Sequence, residues 1–255
     1  MSDRMGPRKA MELASFEGQS WVQISGAELR MGSLSGEPRE RPPHPVQLSA
    51  FRIARYPVTN LDYAAFRAAT GSAMPAHWKD GTFPAGMGDH PVVQVTWGEA
   101  MAFCAWLTGQ IGGDRKLGRV HLATEAQWEL VARGHDGREF PWGDDEPADH
   151  RANYDAGLLH RTTAVTQYPD GATPEGVFDL AGNVLEWCWD WFGPYPAEQQ
   201  RDPTGPDAGL TRVLRGCSFK DPPWGLRGAA RRQSVPDSRY DYVGFRVVFS
   251  SVLDP

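Results

Sequence analysis

The side chains of this chain that could do chemistry are few and far apart. Its three cysteines, Cys104, Cys188 and Cys217, cannot all pair with one another, and no C-x-x-C or His-rich spacing marks a zinc site. They are expected as free thiols in a reducing compartment. Cys188, between Trp187 and Trp189, is expected to be buried and inert; a Cys188–Cys217 couple is the metal or redox combination that stays open. The seven histidines include no H-x-x-x-H pair at helical spacing. Arg215, Arg227, Arg231, Arg239 and Arg246 could hold an acidic ligand, but the expectation is that most pair with Asp and Glu of the long loops. Phe219, Trp224, Tyr240 and Tyr242 are candidates for a binding face, because Tyr and Trp offer a large contact area at little cost in rotamer entropy. The alternative places Trp224 and one of the tyrosines in the core.

The bulk properties exclude several classes. The net charge is −6 over 255 residues, which gives no electrostatic case for nucleic acid; the one local basic cluster is Arg227, Arg231 and Arg232. No run of about 18 apolar residues is present to span a membrane. Met1 to Met11 lack the apolar stretch of a signal peptide, so a cytoplasmic location is expected; the chain is also expected to be a monomer. The 28 glycines and 21 prolines are spread along the chain, as in a core with many turns, and ten tryptophans can fill a core poor in regular structure.

The elements that must position these residues are partly legible. Residues 1–17 are expected to be a poorly ordered arm and 18–255 a single domain. Trp21-Val22-Gln23-Ile24 has strand spacing, and Val46 to Ile53 alternates as one half-buried strand. A helix is predicted from Thr59 or Asn60 to Gly71, with Tyr63 and Phe66 on one face. Two more begin at capping boxes, Thr96-Trp97-Gly98-Glu99 and Thr124-Glu125-Ala126-Gln127, the latter ending at Gly134. Loop is expected from there to Val177, with short strands at Arg212–Arg215 and Gly244–Phe249. Few strands, two or three helices and long loops define an α+β domain.

Ordered blocks along the chain then resemble one family. They are Met31-Gly32-Ser33, Ile53 to Asn60 (IARYPVTN), Pro91 to Trp97 (PVVQVTW), Leu122 to Glu129 (LATEAQWE) and Phe140-Pro141-Trp142-Gly143. Leu180 to Trp187 (LAGNVLEW), Val213 to Phe219 (VLRGCSF) and Gly244-Phe245-Arg246-Val247 complete the series. Together, over roughly residues 20–250, they resemble the formylglycine-generating-enzyme, or sulfatase-modifying-factor, family. The resemblance implies a C-type lectin fold in its formylglycine-generating-enzyme form, with little regular secondary structure.

Fold does not give function, so the site must be read by itself. The family's enzyme uses two reactive cysteines just after an Arg-Gly-Gly-Ser-type motif, with copper between thiolates. The matching stretch here, Ser218 to Leu226 (SFKDPPWGL), contains no cysteine. Asp221 stands near the first position and Gly225 or Leu226 near the second, and neither a carboxylate nor an apolar residue replaces a thiolate for copper(I). The family's iron(II) sulfoxide synthases draw their histidines from an additional helical domain, for which this chain has no room. No copper or iron is therefore expected.

The better match is to the variable proteins of diversity-generating retroelements, which use this fold as a binding scaffold and vary near the C-terminus. Mutagenised AAC codons can yield Phe219, Asp221, Pro222, Pro223, Ser234, Val235, Ser238, Tyr240, Asp241 and Tyr242. These alternate with residues a scaffold would hold, including Leu226, Arg227, Ala229, Arg231 and Phe245. With Trp224, they form the expected ligand-binding set within about 217–242, for a protein or small-molecule ligand. The resemblance also implies a structural calcium site, with side-chain oxygens of Asp179 and Glu186 and carbonyls of Gly182 and Val184; the competing expectation is that Glu186 accepts hydrogen bonds and holds its loop. Two other functions stay open: an oxidoreductase of the formylglycine-generating or iron(II)-thiol type, and an interaction module of a larger regulatory assembly.

Overall fold

The computed structural model describes residues 21–111, 118–155 and 159–250. The expected N-terminal arm lies outside the described residues. Among the described residues, three small sheets and three α-helices, with short 3-10 turns, make up the regular structure, the strands being β1 (Trp21–Ile24), β2 (Ala27–Met31), β3 (His44–Leu48), β4 (Phe51–Ala54), β5 (Arg119–Leu122), β6 (Leu185–Trp191), β7 (Gln200–Arg201), β8 (Arg212–Arg215), β9 (Arg231–Ser234), β10 (Val243–Phe245) and β11 (Val247–Ser250). The helices are α1 (Asn60–Thr70), α2 (Trp97–Gln110) and α3 (Glu125–Arg133). One sheet has the order β1-β4-β11-β5, the second β10-β6-β8-β9 and the third β2-β3-β7.

All three helices start where the sequence places them. Thr59, Thr96 and Thr124 each accept the N–H three residues on, and Asp62, Glu99 and Gln127 reach back to the cap, which satisfies two otherwise orphaned donors at each start. Helix α1 stops at Gly71, in the left-handed region at φ 71°, which a residue without Cβ adopts freely. The apolar face of α1 meets that of α2: Tyr63, Phe66 and Phe103 are buried, with Trp106 beside them and ring centroids 5.3–6.3 Å apart. Phe103 also packs edge-on against Phe245 of β10, which ties the helices to the sheet that leads into the C-terminal loops.

The segment Val46–Ile53 is not one strand. It breaks at Ser49-Ala50, and its halves β3 and β4 enter different sheets. The Ser49 N–H and hydroxyl both donate to Asp202, at 2.7 Å each, and that distant carboxylate takes the place of a strand partner at the break.

A second layer of order is ionic. Arg215 of β8 is fully buried; it donates to Glu129 at 2.6 Å, to Glu125 at 3.3 Å and to the carbonyls of Gly228 and Ala229. Arg231 of β9 forks onto both oxygens of Glu125 at 2.6 and 2.7 Å. Burial alone would push the Glu129 carboxyl up; the guanidinium groups of Arg215 and Arg133 outweigh it and hold the carboxyl below its usual range. Arg215 and Arg231, two of the five arginines expected to pair with acids, do so, but their partners lie on α3 and not on long loops.

Removing one member of such a buried pair strands a charge. Arg215→Met should cost about 3–5 kcal/mol in urea unfolding at neutral pH. Because Glu129 has a depressed folded pKa, its contribution is present above its unfolded value and lost as pH falls, so the penalty should shrink below about pH 4.5. An equal penalty at pH 4 and pH 7 would show that Arg215 acts through packing alone.

Candidate functional site

The C-terminal loops are carried by β8, β9 and β10 and pinned by charge. Arg227 donates to Glu40 and Glu139. Arg239 forks onto Glu99 at 2.7 Å for both bonds and also reaches the Gln94 carbonyl. The Trp97 N–H donates to Pro236 O and the Gln94 N–H to Tyr240 O, so the 234–242 loop lies against the start of α2.

On this frame, ten of the eleven expected binding residues reach the surface in full or in part: Asp221, Pro222, Pro223, Trp224, Ser234, Val235, Ser238, Tyr240, Asp241 and Tyr242. Phe219 does not. It is 2% exposed, its N–H is tied to Asn183 O, and it belongs inside the scaffold, because the chain turns inward directly after Ser218. Trp224 is 47% exposed and not a core residue; its ring carries the guanidinium of Arg232 at 4.3 Å. Tyr240 and Tyr242 stack with centroids 5.0 Å apart. Lys220 sits 5.1 Å over the Tyr242 ring and pairs with Asp241 at 2.7 Å. Tyr242 also packs its inner side on the core around α1 and α2. Lys220 and Arg232 were missing from the sequence-derived set; their adjacency to aromatics separated from them in sequence is set by the loop pairing.

The position that would bear the first cysteine is closed in another way. Asp221 Oδ2 accepts the Ser218 N–H at 2.8 Å and the Ser218 hydroxyl at 2.6 Å, which makes it the clasp of its own turn. Cys217 is buried, with its sulfur close beneath Gly225; burial and then the Asp221 charge push its thiol well above the usual range. Cys188 is buried in β6, and burial likewise raises its thiol. Cys104, Cys188 and Cys217 form no disulfide. These residues do not fit a copper ion held between thiolates. Among the described residues, no group of three or more His, Cys, Asp or Glu is arranged to hold a metal.

In the expected calcium loop, Glu186 has donors from this chain itself. Its carboxylate is engaged by Arg246 through Nη2 at 2.8 Å and Nε at 3.1–3.2 Å, and by the Trp128 indole N–H at 2.9 Å. The carboxylate expected to reach a cation is thus ion-paired with a buried guanidinium. Asp179 accepts from Asn183 at 2.9 Å, and burial lifts its carboxyl to about 7. The Gly182 carbonyl accepts the Val184 N–H. Glu186 does hold its loop, through side-chain donors and not through backbone N–H groups.

Three small sheets with capped helices and long pinned loops constitute the C-type lectin fold in its formylglycine-generating-enzyme form. Residues 7–251 match the Sulfatase-modifying factor enzyme 1-like domain, and the chain belongs to that family. It is 36% identical to the formylglycine-generating enzyme of Streptomyces coelicolor over 94% of this chain and 91% of that one. It is 34% identical to the serine/threonine-protein kinase pkn1 of Chlamydia pneumoniae, over 88% of this chain but only 37% of the kinase's length. In structure it is similar to Treponema denticola variable protein 1, with a TM-score of 0.77, 25% identity and coverage of 90% of this chain and 94% of that one. The family thus includes an enzyme, and this chain also resembles a variable protein. No helix among the described residues is long and apolar enough to cross a membrane.

The Glu186–Arg246 pair sets a test. Glu186→Ala should lower unfolding stability by about 3–5 kcal/mol by stranding a buried guanidinium. The loss should be the same with and without a calcium chelator. A chelator that destabilises the native chain but not the variant would restore Glu186 as a calcium ligand.

Proposed function

We propose that this chain is a non-catalytic binding protein, whose ligand, a protein or a small molecule, docks on the face formed by Pro222, Pro223, Trp224, Ser234, Val235, Ser238, Tyr240, Asp241 and Tyr242, edged by Asp221. The observation that carries this reading is the chemistry of the 217–226 turn. Where the family's enzyme needs two thiolates, this chain has a carboxylate clasped to Ser218, an apolar residue and one buried thiol. What faces outward instead is an array of aromatic rings, each matched to a cation or a second ring, of the kind binding surfaces use. Likeness to a variable protein and the alternation of outward residues with pinned arginines support diversification of this face by a retroelement. The net charge of −6 favours a ligand that is not nucleic acid, and nothing in this reading requires a second copy of the chain.

Two measurements test it. Copper(I), oxygen and a Cys-x-Pro-x-Arg peptide should yield no aldehyde by mass spectrometry; turnover would overturn the non-enzyme reading. Trp224→Ser, Val235→Ser, Ser238→Ala and Tyr240→Ser combined should change stability by no more than about 0.5 kcal/mol per site, because their side chains face solvent. Leu226→Asp, 1% exposed, should unfold the domain. Asp221 and Tyr242 stay out of the tolerant set because one clasps a turn and the other packs on the core. Loss of most of the stability in the combined variant would make those side chains structural and sink the proposed face.

A further inference from the structure

A second site lies behind β9, apart from the C-terminal face. After β6 the chain makes a long excursion, from Gly193 to Pro206, before it returns to β8, and this excursion roofs a cavity of about 260 Å³. Pro194, Pro196, Pro203 and Pro206 form its walls, with Trp191 and Tyr195 beside them. Proline walls are stiff and offer no N–H donors, which favours a preformed cavity; the Arg231 guanidinium that also lines it is spent on Glu125 and on the Arg39 and Gly193 carbonyls.

Its floor is rich in acceptors. Asp190, 3% exposed, accepts the Glu125 N–H at 2.7 Å. Unlike Glu125, which takes the fork of Arg231 and a bond from Arg215, Asp190 forms no ion pair among the described residues. His44 also lines the cavity, at 1% exposure. Its Nδ1 lies 3.1 Å from the Pro42 carbonyl, which can only accept, so in the neutral ring the proton is on Nδ1 and Nε2 is an acceptor; that Nε2 has no partner. A buried acceptor without a donor is a cost the structure carries until something supplies one.

We propose that this cavity binds a small organic ammonium ion, with Asp190 as its counter-ion, His44 Nε2 as a second acceptor and the proline and aromatic walls around its alkyl body. An anion is disfavoured because Arg231, the guanidinium that lines the cavity, is already committed to Glu125, and Arg212, which is not part of the lining, donates to the Trp189 carbonyl. The charged and titratable groups around Asp190 are Glu125, Arg231, Arg212, Cys188, Tyr195 and His44. Burial, and then the Glu125 charge, raise the Asp190 carboxyl to about 8. Binding the ammonium ion at neutral pH therefore expels the Asp190 proton to solvent, and affinity rises with pH until that carboxyl is ionised.

The test uses n-propylammonium chloride as the probe, with 1-propanol and propionate as comparators, read by the indole N–H signal of Trp191 in NMR titrations of the full chain. Propylammonium should shift that signal saturably, with affinity rising roughly tenfold per pH unit from pH 6 to 7.5 and levelling off above 8. Asp190→Asn should weaken binding at pH 8 by at least tenfold and abolish the pH dependence. The pH series on the native chain decides the matter if that variant does not fold. Equal or tighter binding of propanol or propionate, an affinity for propylammonium that ignores pH, or no saturable shift would each overturn the proposal.

Discussion

Arg215 has no contact with water, and most of the molecule is arranged so that it need not have any. Its guanidinium lies between two carboxylates, Glu125 and Glu129, one turn apart on α3 and so on the same face of that helix. Two carbonyls of the 228–229 turn take further donors. A charge at this depth is tolerable only when such partners are in place, and each partner constrains a different element: α3, β8 and the turn that leads into β9. Trp128 extends the constraint, since its ring lies 5.1 Å from the Arg215 guanidinium while its indole N–H bonds to Glu186, which holds Arg246. One helix thus joins two buried ion pairs and through them the strands on which the C-terminal loops are mounted.

These ion pairs add to the apolar core under β6, β8 and β10 in holding a surface of loops. Arg227, Arg231 and Arg239 are each fastened to an acid on another element, Glu40 and Glu139, Glu125, and Glu99 in turn. Between these anchors the chain follows a path that does not depend on the side chains pointing outward. Apolar burial would spread the constraint over many neighbouring residues; forked guanidinium–carboxylate pairs concentrate it on a few. The residues between are free to differ in size and polarity, as a surface that meets a ligand requires.

Local signals were legible in the sequence and distant ones were not. The two capping boxes read in the sequence formed, and the first helix, which starts where expected, has a third at Thr59 and Asp62, because a cap is settled within four residues. The break at Ser49-Ala50 was invisible, because Asp202, which satisfies Ser49, is 153 positions away. β6 went unread because nearly all of it is buried, so it lacks the alternation that marks a half-exposed strand. The partner of Glu186 was hidden for the same reason of distance: the loop shows its oxygen donors in sequence, but the residue that pairs with the carboxylate, Arg246, lies 60 positions on. Surface exposure of ten of the eleven residues in the expected binding set was legible, since most stand in loops whose ends are marked by strands; Phe219 turned inward because an aromatic in a loop can face either way and the sequence holds no sign of which.

β9 shows why these two kinds of residue can coexist so closely. Successive residues of a strand point to opposite sides. Arg231 turns inward, at 2% exposure, to Glu125 and the cavity under the proline-rich excursion, while Arg232 turns outward to the ring of Trp224. The inward partner is closed by charge neutralisation in a medium that screens poorly, so any change there is felt throughout α3. The outward partner faces water, where a cation over an indole contributes on the order of 1 kcal/mol and can be lost without consequence for the frame. Along β9 it is the period of two that separates Arg231, which holds the frame, from Arg232, which faces outward.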